Sequence, residues 1–392
     1  MQSAFEKILV ICGTGVGNIL LATPLIRSLR RAYLVATIDV LVPEGREGIL
    51  EGNPDVNDVI RVRRRQGIRE DLRFVRRLWR HYDIALSTQA DDRSVISACM
   101  ASELRFSHWY RCGLLSAWQR LVLNDCVGPD CKTHVVVHGL RLLDPLGIAK
   151  QYELVPPACS EDATAALDRL LPFSRPRQSY AVLHFFPRNM YKCWTLAGWI
   201  VVIQHLASRG MPMVLTGAAG QQEQDYIRAI LARCGNPEIV NLSGQISLAQ
   251  VSNLLKGCSL YVGPDTGITH VAAAQGCPTV ALYGPTDHGY WGPWPKGYAK
   301  DQSPFDRQGS QRRNNVYVVR RESGCILCSA EGCHSAANRP SRCMEELTPE
   351  SVIDAIDEML VEVPRPAFDD HDQMYTVIEQ GESSRSLAKW SV

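Results

Sequence analysis

Two rhythms of apolar residues alternate along this chain. Short runs buried on both faces, such as Ile8-Leu-Val-Ile-Cys12, are followed by glycine or polar residues and then by segments whose apolar positions recur every three to four residues. Strands are predicted at Lys7–Cys12, Thr37–Val42, a short run ending at Ile60, Asp83–Ser87, Tyr180–His184, Met213–Thr216, Glu238–Asn241, Leu260–Val262 and Thr279–Tyr283. Helices are predicted near Asn18, over Ile68–His81, and at Thr195–Ser208, Gln221–Cys234, Leu248–Lys256, Thr266–Gln275 and Pro349–Val361, the last opened by Thr348 and proline at its first position. Strand-helix alternation of this kind predicts an α/β protein with parallel sheets. At 392 residues the chain suits two such units better than one. The predicted domains are 1–157 and 158–363, divided after Pro156-Pro157, with a polar, patternless tail over 364–392 that reads as a strap or disordered segment.

The most informative stretch is Tyr261-Val-Gly-Pro-Asp-Thr-Gly-Ile-Thr-His270. Gly263 and Pro264 end the strand, Asp265 or Thr266 occupies the cap, and Gly267 opens a helix without side-chain bulk. Free N–H groups and the positive end of the helix dipole make such a start an anion site, and His270 follows one turn later. Lys192, in Pro187-Arg-Asn-Met-Tyr-Lys-Cys-Trp194, follows another strand of the same unit and is expected over the same sheet edge as Thr266, clamping a diphosphate with help from Arg188. Thr216-Gly217 and the helix carrying Glu223 follow another strand of this unit to the same edge, where a carboxylate could bind ligand hydroxyls. Glu223 reads equally well as an outward-facing helix residue.

In the first unit Gly13-Thr-Gly-Val-Gly17 closes the first strand. Its third glycine falls one residue early for a dinucleotide-binding turn, so a nicotinamide dehydrogenase is disfavoured. Gly15 and Gly17 instead allow close backbone approach to a ligand in a cleft. Thr88-Gln-Ala-Asp-Asp92 ends a further strand on the same edge, making Asp91 and Asp92 candidate proton acceptors, although either residue suits a helix cap as well. On the predicted 68–81 helix, Arg73, Arg77 and Arg80 share a basic face with Arg69 and Arg76, with Leu72, Val75 and Trp79 on another face. Such a face fits an anionic acceptor or simple solvation. Leu104–Leu123 fits neither a clean strand nor a clean core helix and is expected to be an acceptor-side or membrane-facing loop.

Composition narrows the setting. A net charge of +1 gives no argument for nucleic acid. No apolar run approaches the length of a membrane span, so membrane contact is expected to be peripheral. Fourteen cysteines without a signal-like start point to free thiols in a reducing cytoplasm. Cys325, Cys328, Cys333 and Cys343 are spaced so that four thiolates could close on one zinc, but the last two intervals are not those of common zinc ribbons, and reduced structural thiols are the expected reading. The one Asp-x-Asp, Asp370-His-Asp372, lies in the tail, so no metal or cofactor is expected at the site.

Pro264-Asp-Thr-Gly-Ile-Thr-His270 and Thr279-Val-Ala-Leu-Tyr-Gly-Pro-Thr-Asp287 resemble the signature of glycosyltransferase family 9, the ADP-heptose:lipopolysaccharide heptosyltransferases, and a looser likeness runs from Lys7 to Leu360. The resemblance implies a GT-B fold, two Rossmann-like doubly wound domains facing across a cleft, with a nucleotide-sugar, ADP-linked by resemblance, held by the second domain, its ribose near Thr216, Gly217 and Glu223, and the acceptor on the side of Gly15 and Gly17. Lys192-x-Trp194 resembles that family's donor-binding lysine. Asn18-Ile-Leu-Leu-Ala-Thr-Pro-Leu-Ile-Arg27 resembles its N-terminal motif, where the family carries aspartate in place of Asn18. An amide orients a hydroxyl but lacks a carboxylate's basicity. The reading is an inverting, metal-independent transferase acting on a bacterial envelope glycan. A capsule or natural-product acceptor, or a non-catalytic nucleotide-sugar-binding protein, are the alternatives.

Overall fold

The computed structural model describes residues 5–361, apart from 64–67, 110–116, 129, 131, 176–177, 236–237, 322–332 and 334–338. The first half contains strands β1 (Lys7–Ile11), β2 (Thr37–Pro43), β3 (Asp58–Val62), β4 (Ile84–Ser87), β5 (Leu104–His108) and β6 (Asp125–Val127). Its helices are α1 (Val16–Leu21), α2 (Thr23–Ala32), α3 (Ile68–Leu78), α4 (Asp92–Ala101), α5 (Ala117–Val122) and α6 (Val135–Leu140). All its strands run parallel in the order β3-β2-β1-β4-β5-β6. Ile8 and Val10 of β1 pack into one apolar cluster and Leu9 and Ile11 into another, which is why the run is continuously apolar.

The second half contains α7 (Glu161–Asp168), α8 (Leu196–Ser208), α9 (Gln221–Leu231), α10 (Leu248–Lys256), α11 (Gly267–Gln275), α12 (His288–Trp291), α13 (Arg342–Glu345) and α14 (Pro349–Val361). Its strands are β7 (Ala181–His184), β8 (Met213–Thr216), β9 (Ile239–Asn241), β10 (Leu260–Pro264), β11 (Thr279–Leu282), β12 (Gln311–Arg313) and β13 (Val316–Val319). They lie in the order β12-β13-β11-β10-β7-β8-β9, parallel except for β12 against β13. The parallel strand order switches direction between β1 and β4 in the first sheet and between β7 and β10 in the second, and a crevice opens at the carboxyl ends of strands at such a switch point. The Gly13–Gly17 loop leaves β1, while Lys192 and Thr266 follow β7 and β10.

A single apolar cluster joins the halves, running from Ile8, Leu20 and Val136 to Tyr180, Leu254 and Val271. The connecting segment is pinned to both: Ala158 N donates to Glu51 O at 2.9 Å, and Ser252 Oγ donates to Pro157 O at 2.7 Å.

Three sequence expectations are corrected. The Leu104–Leu123 stretch, expected as a loop, supplies β5 and α5; Phe106 and Ser107 are buried beside β4, and the strand was hidden by the polar Arg105 and Ser107 that flank Phe106. Helix α3 stops at Leu78 and Arg80 takes a left-handed conformation with φ of 50°. The side of α3 that packs inward carries Phe74 and Leu78, leaving Leu72 and Trp79 56% and 59% exposed. Finally, Cys258 and Cys277, expected as free thiols, form a disulfide with their Cα atoms 6.2 Å apart, because the neighbouring strands β10 and β11 begin side by side. The 364–392 tail, Cys325 and Cys328 lie outside the described residues.

Candidate functional site

A cleft of about 980 Å³ opens where the two switch points face one another. The first half contributes Gly15, Val16, Gly17, Asn18 and Arg46 to its lining. From the second half come the turn after β7, the Thr216–Ala218 corner with Glu223, the start of α11, and Pro285–Asp287.

The halves meet almost backbone to backbone. A Cβ on Gly267 would lie 3.2 Å from Gly17 N and 3.1 Å from Val16 Cγ1, and one on Gly17 would lie 3.0 Å from His270 Cδ2. A side chain at either position would be tight and would need α1 or α11 to give by a few tenths of an ångström. Thr266 is the cap of α11, its Oγ1 accepting from Thr269 N at 3.4 Å, and Tyr261 fixes Thr269 through a 2.9 Å hydroxyl contact. Asp265 is therefore free to turn towards Lys192, which donates to its Oδ2 from Nζ at 2.6 Å. Burial, the largest single influence on Asp265, would raise its pKa, but the Lys192 ammonium together with His270 and a hydrogen bond from Thr286 outweighs burial and holds the carboxyl below its ordinary value. Burial works against Lys192 too, and Asp265 outweighs it, so the lysine pKa is raised. The pair is charged at neutral pH, at the positive end of α11.

At the other end of the cleft, a Cβ on Gly217 would lie 2.4 Å from Glu223 Oε1, so only glycine lets this carboxylate lie beneath the corner. Glu223 is 8% exposed, Oε1 has no hydrogen-bond partner among the described residues, and burial pushes its pKa up to about 7. Thr216 is buried and receives His184 Nδ1 at 3.1 Å through both its carbonyl and hydroxyl oxygens. Burial lowers the His184 pKa to about 4. Arg188 lies exposed at the rim.

Every donor-side residue read from the sequence, from Lys192, Arg188, Thr216, Gly217 and Glu223 to Asp265, Thr266, Gly267 and His270, lines this cleft, as do Gly15, Gly17 and Asn18. Asp91 and Asp92 do not. Asp91 caps α4, accepting from Ser94 N at 3.1 Å and Ser94 Oγ at 2.7 Å, and Asp92 accepts from Gln119 Nε2 at 2.9 Å. Both carboxylates, expected as proton acceptors, are thus hydrogen-bonded within α4 and to α5 and are absent from the cleft lining. Arg73, Arg77 and Arg80 also lie away from the cleft, Arg77 paired with Asp58 and Arg80 with Glu103 at 3.3 Å. Sequence reasoning missed Arg46, His184 and Asp287. Each follows or ends a strand at its carboxyl end, and that position was the available signal.

The sequence profile of glycosyltransferase family 9 (heptosyltransferase) matches residues 72–317. The chain belongs to this family. It is 27% identical over 285 residues to lipopolysaccharide heptosyltransferase 3 of Escherichia coli (strain K12), covering 71% of this chain and 82% of that protein. The structure of the E. coli ADP-heptose lps heptosyltransferase II superposes with a TM-score of 0.69 at 23% identity, covering 91% of this chain and 98% of that one. A more distant likeness in fold is to the bacterial iron-containing dodecameric glycosyltransferase TibC from enterotoxigenic E. coli, with a TM-score of 0.51, 14% identity, and coverage of 91% and 76%. This family member is a glycosyltransferase of α/β architecture with two facing parallel sheets. Among its described residues no cluster of His, Cys, Asp or Glu is arranged to hold a metal, and no helix is long and apolar enough to cross a membrane.

Proposed function

We propose that the chain transfers a sugar, heptose-like and ADP-linked, to a hydroxyl of a bacterial envelope glycan such as lipopolysaccharide core, with inversion and without a metal. The observation that carries this reading is the Lys192–Asp265 pair at the start of α11, in the cleft that Gly17 and Asn18 line from the other half. A diphosphate entering there exchanges Asp265 for its own oxygens as the partner of Lys192, with Arg188 assisting from the rim. The ammonium and the helix dipole take the role a divalent cation has elsewhere, meeting the charge that builds on the leaving diphosphate. Glu223, beneath Gly217 beside Thr216, is assigned to the ribose hydroxyls: its partnerless buried oxygen is suited to accept from them. The acceptor is assigned to the 1–157 side near Gly15, Gly17 and Asn18, and the donor to the 158–363 side.

Work at the cytoplasmic face of the inner membrane fits this reading. Leu72 and Trp79 are exposed on the α3 segment beside Arg73, Arg76 and Arg80, the composition expected of a peripheral contact with an anionic lipid surface or an anionic part of the acceptor. One observation favours a second reading, a nucleotide-sugar-binding protein without transfer: the cleft residue that is aspartate in the resembling motif is the amide Asn18 here.

Thermal unfolding across ADP-, UDP-, GDP- and dTDP-sugars tests the donor. The matching sugar at a hundred times its dissociation constant should add ~2.7 kcal/mol, and product formation from that sugar with a core acceptor separates the two readings. Equal stabilisation by all four, or by none, would overturn the donor assignment.

A further inference from the structure

His270 is 5% exposed, and its ring makes no hydrogen bond among the described residues. Nδ1 is wholly buried without a partner, while the Cδ2–Nε2 edge lies along Gly17, a Cβ there falling 3.6 Å from Nε2. The residue stands one turn into α11, on the side of the helix that lines the cleft, behind Thr266. A buried imidazole nitrogen without a partner is costly to keep, and the ring's place between the two halves is where a diphosphate would arrive.

The charged and titratable groups that face it are few. Asp265 precedes α11 and Lys192 comes from the turn after β7, and these two already neutralise one another. From α6 comes His134, but its Nδ1 accepts from Val136 N at 3.2 Å and its Nε2 lies 2.8 Å from Gly292 O, an arrangement that fixes it as a neutral tautomer. From α1 come only Gly17 and the uncharged Asn18. Among the described residues, His270 is thus the group at this point able to gain charge when anionic oxygens enter.

Resting on the donor reading above, we propose that His270 takes up a proton from solvent as the nucleoside diphosphate binds, and that the imidazolium so formed hydrogen-bonds the diphosphate as a catalytic residue on the leaving-group side. Burial keeps the ring neutral beforehand, with a pKa lowered to about 4 in the ligand-free protein. Phosphate oxygens beside it favour the charged form. The same N–H then faces the negative charge that accumulates as the sugar departs.

Calorimetric titration of the full chain with ADP, without magnesium, in buffers of different ionisation heat between pH 5.5 and 7.5 counts the protons exchanged. The parent is expected to take up about one proton per chain towards the acid end, its dissociation constant tightening by up to ~10-fold per pH unit on acidification. The His270→Gln variant should bind ADP with neither the uptake nor that part of the slope. ADP's own phosphate protonation is common to both proteins and cancels in their difference, and titration with adenosine isolates any proton belonging to Glu223. If the Gln variant does not fold, ring-proton NMR of the parent reads the same event: one histidine should shift to the imidazolium position on ADP addition. Binding of ADP by the parent with no more uptake than the variant, or with no histidine shifting, overturns the proposal and leaves the donor site standing. Absence of ADP binding to the parent overturns both.

Discussion

Replacing Lys192 by methionine perturbs two things that the structure separates. The ammonium pairs with the buried Asp265 at 2.6 Å, with side-chain exposures of 19% and 7%. Removing one partner of a buried pair costs about 3–5 kcal/mol, and because this pair borders an open cleft from which water reaches the carboxylate, we expect about 2 kcal/mol. The penalty has a definite pH dependence. In the parent the Asp265 pKa is depressed, so its stabilising contribution is present above the ordinary carboxylate range and is lost on acidification. In the Lys192→Met variant burial is left to raise that pKa, with hydroxyl contact from Thr286 as partial compensation, so the destabilisation should be greatest at pH 7–8 and shrink towards pH 5 as the carboxyl protonates. Adding Asp265→Asn should recover most of the lost stability while leaving phosphate binding impaired. Urea unfolding of the two single variants and the double variant over this pH range reads the first effect. Calorimetry reads the second: loss of a charge-assisted contact worth about 1.5–3 kcal/mol weakens the nucleoside diphosphate roughly 10- to 150-fold, with the free nucleoside unchanged. A methionine variant as stable as the parent at every pH, or one that loses nucleoside and diphosphate affinity equally, would refute the reasoning.

Asn18→Asp should preserve or raise turnover, whereas Asp91→Asn and Asp92→Asn should keep single-turnover rates within a few-fold of the parent, since both carboxylates are committed to α4 and α5; a loss of roughly 10²-fold or more in either would restore it as the base. Reversing Arg73, Arg77 and Arg80 together should weaken and desensitise to salt the binding of anionic vesicles while leaving donor affinity unchanged, with co-sedimentation as the measurement. Burial lowers the pKa of His108 and His134 to about 3 and of His184, His270 and His288 to about 4. The unfolded chain therefore binds more protons below pH ~6.5, and stability should fall steadily from there towards pH ~4, a trend checked by unfolding midpoints against pH. Metal analysis of purified protein should find no stoichiometric zinc or iron, with an unchanged melting temperature after chelation; one bound ion per chain would overturn the reading of Cys325, Cys328, Cys333 and Cys343 as structural thiols.

The sequence alone was sufficient for whatever depends on neighbours along the chain. Strands buried on both faces must be continuously apolar, so β1, β2, β8 and β10 could be read within a residue or two, and α10 to the residue. The capped start of α11 and the strand-end placement of Lys192, Thr216 and Glu223 follow from the rule that parallel sheets gather ligands at the carboxyl ends of their strands. What the chain could not disclose depends on which segments lie side by side. Arg105 and Asn124, polar in sequence, hide a strand whose Phe106 and Ser107 are covered only once β4 and β6 flank it. Asp91 reads as a candidate base because topology carries it to that edge of the sheet, whereas the Ser94 contacts that tie it to α4 exist only in the folded chain. The Lys192–Asp265 pair spans 73 positions of sequence, and the enclosure of His270 requires Gly17 from the other half of the molecule. Burial and partner, which decide whether a titratable side chain carries charge, are properties of the packed interior and exist only after the two halves have closed on their shared core.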